Sequence, residues 1–169
     1  MSDLLYHDGE VIDFAYQLLK EVAELLDSKL SSLAKEAAVS EDADSHGIYD
    51  RMEYVAGFGF VACQEYVTRI WGEIGKEGTL KLGPKRGDVW LVQVVGAAAN
   101  YWKHHSEWGE SPSPGALRTI KVLSQIGVDR ASDYPVFGVL RHLQGDFPHR
   151  FGSIVPGLAA WRNKAILHR

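Results

Sequence analysis

Apolar residues recur at intervals of three and four over two long stretches near the start of the chain. In the first stretch they are Val11, Ala15, Leu18, Val22, Leu25, Leu26, Leu33 and Ala37. In the second they are Met52, Val55, Phe58, Ala62, Tyr66 and Ile70. This spacing matches the α-helical repeat and predicts two long amphipathic helices. Asp8 is predicted to cap the first, which ends near Ala38. A capping box of Asp50 and Glu53 opens the second, which ends near Gly75.

The stretch 40–47 between these helices is acidic and holds no apolar residue larger than alanine, so it is predicted to be a mobile loop. Gly57 and Gly59 lie inside the second helical pattern, where each costs about 1 kcal/mol relative to alanine. We therefore expect a neighbouring helix to approach closely there. A phosphate-binding glycine loop would need a preceding strand, and this continuous helical pattern does not provide one.

The segment from Val89 to Trp108 is ambiguous at its beginning. Residues 89–95 have the composition of a buried strand, which could pair with 79–82 as a hairpin. The pattern continues without a breaker through three alanines to Trp108, about 20 residues in all, and this favours a central buried helix capped by Asp88. Both interpretations stay open, and the helix is preferred.

Three shorter helices are predicted in the remainder, from Ala116 to about Ile126, from Pro135 to the breakers at 145–148, and from Pro156 to the C-terminus. The sequence therefore predicts an all-α bundle of five or six helices, forming a single domain over residues 1–169.

Charge is distributed unevenly along the chain. Residues 1–50 hold twelve Asp and Glu against three Lys, whereas the remainder holds fifteen Lys and Arg against ten acids. The acidic third could cover a basic surface, or it could repel nucleic acid while the remainder attracts it. A solvated acidic helix face explains the same pattern.

A single cysteine, Cys63, excludes an internal disulfide and a cysteine-based zinc cluster. The longest apolar run, 89–99, is far shorter than the roughly 20 residues that span a bilayer. The first residues have no basic region ahead of an apolar core, as a secretory signal would. We therefore expect a cytoplasmic protein that does not enter a membrane.

The first candidate site lies near the end of the third predicted helix. Asn100 and His104 share one helix face, and Glu107 follows three residues later. A histidine beside an amide and a carboxylate could act as a general acid or base, with Lys103 holding an anion. A helix end whose polar tips reach water explains the same residues.

His104 and His105 point about 100° apart and cannot easily bind one ion together, so we expect no metal, although His142 or His149 could supply a further ligand. No phosphate-binding or dinucleotide signature occurs, so we expect no other cofactor.

The second candidate site lies in the last predicted helix. Arg162, Asn163 and His168 form an Arg-Asn-x4-His sequence that resembles the signature of HEPN domains, whereas a basic helix end explains it structurally. The Asn100-x3-His104 pair is similar to a variant of the same signature. HEPN domains are helical bundles, often metal-independent endoribonucleases that pair across a two-fold axis. The resemblance implies that Asn100 and His104 orient and polarise the scissile phosphate and the attacking 2′-hydroxyl.

A different resemblance is to MazG-type nucleotide pyrophosphohydrolases. Residues 87–90 and 98–100 are similar to the second metal-binding helix of those enzymes, and Glu21 and Glu24 match their first acidic pair. Lys85 stands where a magnesium-binding Glu is required, and the reversed charge argues against this interpretation.

The resemblance to HEPN domains predicts a homodimer that cleaves or binds RNA in a toxin–antitoxin or phage-defence context. If it is an enzyme, the expected activity is that of a metal-independent endoribonuclease. The alternative is a non-catalytic module, such as an immunity protein or antitoxin, whose acidic N-terminal face binds a basic protein.

Overall fold

The computed structural model describes residues 4–7, 10–129, 131–144 and 149–168 and confirms the predicted all-α bundle in one domain. Over these residues the helices are α1 Phe14–Val39, α2 Ile48–Ile74, α3 Leu91–His104, α4 Pro114–Gln125, α5 Pro135–Gln144 and α6 Val155–Leu167. Single 3-10 turns occur at Thr79–Lys81, His105–Glu107 and Phe151–Ser153. The same residues also include two short pairs of antiparallel strands. β1 Leu4–His7 pairs with β2 Glu10–Asp13, and β3 Lys85–Arg86 pairs with β4 Val89–Trp90.

Helices that follow one another in the first part of the chain are also neighbours in space. α1 packs on α2, α2 on α3, and α3 on α4, while α5 and α6 both contact α2 and α3. The core is therefore centred on α2 and α3. Its largest fully buried side chains include Phe60, Ile70, Leu140, Phe151, Leu158 and Trp161. None of the helices in the described ranges has the length and apolar composition needed to cross a bilayer.

The first helix begins later than its apolar spacing predicts. Residues 10–13 form β2, in which Val11 pairs with Tyr6, so the helical assignment of Val11 was wrong. Val11 and Ile12 are β-branched and favour extended backbone. The cap is Asp13, whose carboxylate accepts the Tyr16 N–H at 2.8 Å. The predicted cap, Asp8, lies outside the described residues.

The predicted capping box of α2 was also wrong. The helix begins at Ile48, so Asp50 lies within its first turn, and the preceding Gly47 adopts a left-handed conformation. The Glu53 carboxylate instead accepts the N–H groups of Val136 and Phe137, at 2.9 and 2.6 Å. Burial raises the pKa of the Glu53 carboxyl, while these two backbone donors lower it. Glu53 therefore caps α5 from α2.

The acidic loop 40–47 contains several hydrogen bonds. Asp42 accepts the backbone N–H and the hydroxyl of Ser45, at 3.0 and 2.5 Å. The Gly47 N–H donates to the Asp44 carbonyl at 2.8 Å, and the Tyr134 hydroxyl donates to the Asp44 carboxylate. The loop thus forms compact turns joined to α5, and its mobility stays a prediction.

Two glycines of α2 lie directly against aromatic rings. The sequence predicts close packing at these positions, because glycine destabilises a helix unless something offsets its low helix propensity. A Cβ at Gly57 would lie 2.2 Å from the ring of Trp102 on α3, and one at Gly59 would lie 2.1 Å from the ring of Phe151. Close approach of a neighbouring helix is confirmed at Gly57. At Gly59 the neighbour is the 3-10 turn at 151–153.

The structure resolves the ambiguous segment in favour of a helix from Leu91. Val89 and Trp90 pair with 85–86, and not with 79–82 as the hairpin alternative required. The predicted cap at Asp88 was wrong, because Trp90 occupies the cap position and its N–H donates to the Gln93 side chain at 3.4 Å. The fourth helix begins two residues earlier than predicted, where the Ser113 hydroxyl accepts the Ala116 N–H.

Candidate functional site

A cleft of about 740 Å³ lies between the C-terminal end of α3 and the beginning of α4. Three of the four residues in the first predicted site line it, namely Asn100, His104 and Glu107. The fourth, Lys103, does not belong to the lining. Two basic residues that the sequence did not indicate, Lys76 and Arg118, line the same cleft. The cleft therefore combines a histidine, an amide and a carboxylate with two cations.

His104 and Glu107 form the titratable pair of the cleft. α3 ends at His104, and the following 3-10 turn brings Glu107 back beside it, with its Oε2 3.4 Å from His104 Nδ1. Both side chains are about half exposed or more, so either can meet a ligand from solvent. The Glu107 carboxylate therefore lies where it can hold the His104 ring in one orientation.

Gln64 on α2 is a residue of this region that sequence reasoning missed. Its Nε2 donates to Asn100 Oδ1 at 3.0 Å and to the Gly96 carbonyl at 3.4 Å, and its Oε1 accepts Lys103 Nζ at 2.6 Å. One glutamine therefore orients the Asn100 amide and holds Lys103 towards α2. Because the Asn100 oxygen is used as an acceptor, the Nδ2 amino group is its donor towards the cleft.

The two basic residues of the cleft come from different parts of the chain. Lys76 follows the end of α2, where its ammonium lies 4.6 Å from the centre of the Trp71 ring, and Arg118 is an exposed residue of α4. Neither belongs to a local motif. The only signal in the sequence is a basic residue in a connection and another on the polar side of a short helix.

His105 has a packing role, although it is adjacent to His104. Its ring stacks on that of Tyr101, with centroids 4.8 Å apart and planes within 2°, and Nδ1 lies 3.0 Å from the Tyr101 carbonyl. His104 and His105 thus have different surroundings. Among the described residues, no three His, Cys, Asp or Glu side chains converge as metal ligands would.

Trp108 lines the cleft even though the α-helix, predicted to reach it, stops at His104. It lines the cleft together with Asn100 and His104, and its ring packs edge-on against Tyr101, with centroids 5.5 Å apart. The change from α-helix to a 3-10 turn after His104 therefore does not remove Trp108 from the site.

The second predicted site is centred on a buried ion pair. Arg162 Nη1 lies 2.5 Å from Asp13 Oδ2, and the two side chains are only 10% and 2% exposed. Its other nitrogens donate to Asn163 Oδ1 at 2.7 and 3.0 Å. The same Asp13 oxygen accepts the Tyr66 hydroxyl at 2.8 Å. The structure thus brings Arg162 and Asn163 together around the beginning of α1.

His168, the third residue of that set, lies at the end of α6. A Cβ at Gly78 would lie 3.3 Å from its Nε2, which places the imidazole beside the connection that follows α2. Arg162 and Asn163 instead line a groove with Val11, Ile166 and Leu167. The Arg162 guanidinium is occupied by Asp13 and Asn163.

The single cysteine lies inside the core. Cys63 is fully buried in α2, and burial raises the pKa of its thiol to about 12. A thiol in such surroundings stays protonated and packs as a small apolar side chain.

Comparison of the chain with protein-family models, curated proteins and solved structures found no match. The resemblance to HEPN domains therefore depends on the quoted motifs and the helical architecture.

Proposed function

We propose that the cleft at the end of α3 binds RNA and cleaves it without a metal ion, as in a HEPN-like ribonuclease. One observation carries the proposal: the His104–Glu107 pair lies in a cleft that Lys76 and Arg118 also line. Phosphodiester cleavage at a ribose needs a proton acceptor for the 2′-hydroxyl and positive charge near the phosphate. These four side chains supply both.

In this mechanism, His104 accepts the proton of the 2′-hydroxyl as its oxygen attacks the adjacent phosphorus. The bond from phosphorus to the 5′ oxygen breaks, leaving a 2′,3′-cyclic phosphate and a 5′-hydroxyl. The 5′ oxygen takes its proton from the imidazolium or from water. Glu107 stabilises the imidazolium, and the Asn100 amino group donates to a phosphate oxygen. Lys76 and Arg118 offset the charge that develops on the phosphate.

His104→Ala is expected to lower the rate of RNA cleavage at least about a hundredfold, because general acid–base catalysis contributes about that much. Its thermal unfolding temperature should change little, since the side chain is half exposed. The measurement is cleavage of a labelled RNA by purified protein, with and without EDTA, and cleavage should persist in EDTA.

The matched control is His142→Ala, which removes an exposed histidine of α5 that does not line the cleft. It is expected to retain full activity. Equal cleavage by His104→Ala and the parent protein, or loss of activity in EDTA, would contradict the proposed mechanism.

The proposed biological setting is a toxin–antitoxin or phage-defence system, in which a small helical ribonuclease acts on cellular or phage RNA. The alternative is a non-catalytic module that binds a basic protein. It is favoured by the exposed carboxylates of α1 and the loop after it, among them Glu21, Glu24 and Glu41. Tight binding of a basic protein, together with no cleavage of any RNA, would support the alternative.

We also propose that the chain forms a homodimer through the exposed side of α1. Phe14, Leu18 and Leu25 lie on one side of that helix and are 55–73% exposed. A two-fold axis would allow this apolar stripe to cover its own copy. Light scattering is expected to give twice the 18.8 kDa of the chain. Leu18→Glu should halve that mass, and a mass of 18.8 kDa at every accessible concentration would count against the dimer.

A further inference from the structure

Two exposed aromatic side chains of α2 and a partly buried one of α3 form a cluster at the surface. Tyr54 and Phe58 are one helical turn apart on α2, and each is 58% exposed. Both rings pack edge-on against Trp102 of α3, with centroid distances of 5.0 and 6.2 Å. We call Tyr54, Phe58 and Trp102 the aromatic cluster. It is a contiguous aromatic surface that the bundle leaves in contact with solvent.

The aromatic cluster is linked to the cleft through neighbouring residues of α3 and Gln64 of α2. Trp102 is followed by Lys103, whose ammonium donates to Gln64. Gln64 in turn donates to Asn100, which lines the cleft. Lys103 therefore lies between the aromatic cluster and the proposed catalytic residues, and its exposed side chain adds a positive charge to the path between them.

The position of Trp102 depends on a glycine in the facing helix. A Cβ at residue 57 would overlap the Trp102 ring, because it would lie 2.2–2.6 Å from three of its atoms. Glycine is unfavourable inside a helix, yet here it leaves the space that the indole occupies against α2. The packing thus fixes the ring against which Tyr54 and Phe58 are arranged.

Exposed aromatic rings beside cations are the combination that binds single-stranded nucleic acid, since unpaired bases stack on the rings and phosphates follow the positive charges. Bases in a duplex are stacked on one another and do not reach such a surface. We infer that the aromatic cluster binds the bases of single-stranded RNA whose backbone enters the cleft. This inference rests on the proposed function and specifies its substrate as an unpaired strand.

The test uses fluorescence anisotropy with the full chain carrying His104→Ala, so that RNA is not consumed. The probes are a labelled 12-nucleotide RNA of mixed sequence and the same strand annealed to its complement. The single strand is expected to bind at least about tenfold more tightly than the duplex. Adding Phe58→Ala should raise the Kd for the single strand about tenfold or more, which corresponds to about 1.4 kcal/mol, and leave the duplex Kd unchanged.

Three further variants separate stacking from other effects. Phe58→Tyr keeps a ring and should bind the single strand as tightly as the parent, while Phe58→Leu keeps only apolar bulk and should bind as weakly as Phe58→Ala. Leu167→Ala is the matched control, because it removes an apolar side chain that is 87% exposed on α6 and lies outside the aromatic cluster. It should change neither Kd.

The outcomes separate this inference from the proposed function. Equal single-strand binding by the parent and Phe58→Ala would overturn the role of the aromatic cluster and leave RNA binding by the cleft in place. A Phe58→Ala variant with unchanged RNA affinity but half the molecular mass in light scattering would assign the surface to a second copy of the chain. No binding of either RNA by any variant would overturn both proposals.

Discussion

Arg162→Met is expected to lower the free energy of unfolding by about 3–5 kcal/mol, the usual result of removing one partner of a buried ion pair. The Asp13 carboxylate, 2% exposed, would lose the Arg162 guanidinium 2.5 Å away and keep the Tyr66 hydroxyl and the Tyr16 N–H as donors. Burial raises the pKa of the Tyr66 phenol, and Asp13 raises it further, so this hydroxyl stays protonated and cannot replace the lost charge. Denaturant unfolding followed by circular dichroism measures the change.

The matched control is Arg51→Met, which breaks an ion pair of similar length at the surface. Arg51 Nη2 lies 2.6 Å from Glu36 Oε1, but both side chains are more than 40% exposed. Water screens such a pair, so we expect a much smaller loss of stability for Arg51→Met than for Arg162→Met. Asp13→Asn combined with Arg162→Met should recover part of the loss, because no uncompensated charge then remains. If Arg162→Met and Arg51→Met lowered the free energy of unfolding equally, burial would not be the reason why the Asp13–Arg162 pair matters for stability.

Gly59→Ala is expected to destabilise the fold by about 3 kcal/mol, although alanine is the better helix former by about 1 kcal/mol. The new Cβ would lie 2.1–2.6 Å from three atoms of the Phe151 ring. That ring is 1% exposed and packs edge-on against Phe60, with centroids 5.3 Å apart. The Asp27 carboxylate also holds the Phe151 N–H at 2.6 Å. The ring therefore cannot move aside without disturbing the core.

Gly72→Ala, in the same helix, is the control for this prediction. A Cβ at residue 72 would meet no heavy atom within 4 Å, so only the helix propensity changes. This variant should be more stable than the parent by about 0.5–1 kcal/mol. Thermal or denaturant unfolding of the two variants should therefore shift in opposite directions. A Gly59→Ala protein as stable as Gly72→Ala would show that the Phe151 ring relocates at little cost.

The parts of the fold that the sequence predicted are those determined by local spacing. The apolar periodicity of α1 and α2 gave both helices, and the cost of Gly57 and Gly59 correctly indicated tight packing. The errors occurred at helix ends, where a cap is a single hydrogen bond and several polar residues compete for it. Glu53 has the spacing of a local capping box, yet it binds backbone donors 83 and 84 residues later in the chain.

The candidate site was predicted only where its residues are close in sequence. Asn100 and His104 share one face at the end of α3, and Glu107 follows in the adjoining 3-10 turn, so their proximity follows from local geometry. Gln64, Lys76 and Arg118 reach the same region from other elements, and nothing in their local sequence distinguishes them from solvated polar residues. The role of Arg162 depends on its partner, because Asp13 is 149 positions away and only the tertiary fold brings the two together.

The two caps contributed by distant acidic residues join the C-terminal part of the chain to its two long N-terminal helices. Glu53 of α2 binds the first N–H groups of α5, and Asp27 of α1 binds the N–H groups of Phe151 and Gly152. Both segments are short, and a helix of about ten residues is marginal in water by itself. We therefore expect each segment to become ordered only when a long N-terminal helix presents its carboxylate. The hairpin of α1 and α2 would then order the C-terminal third of the chain, and we expect these two parts to unfold together.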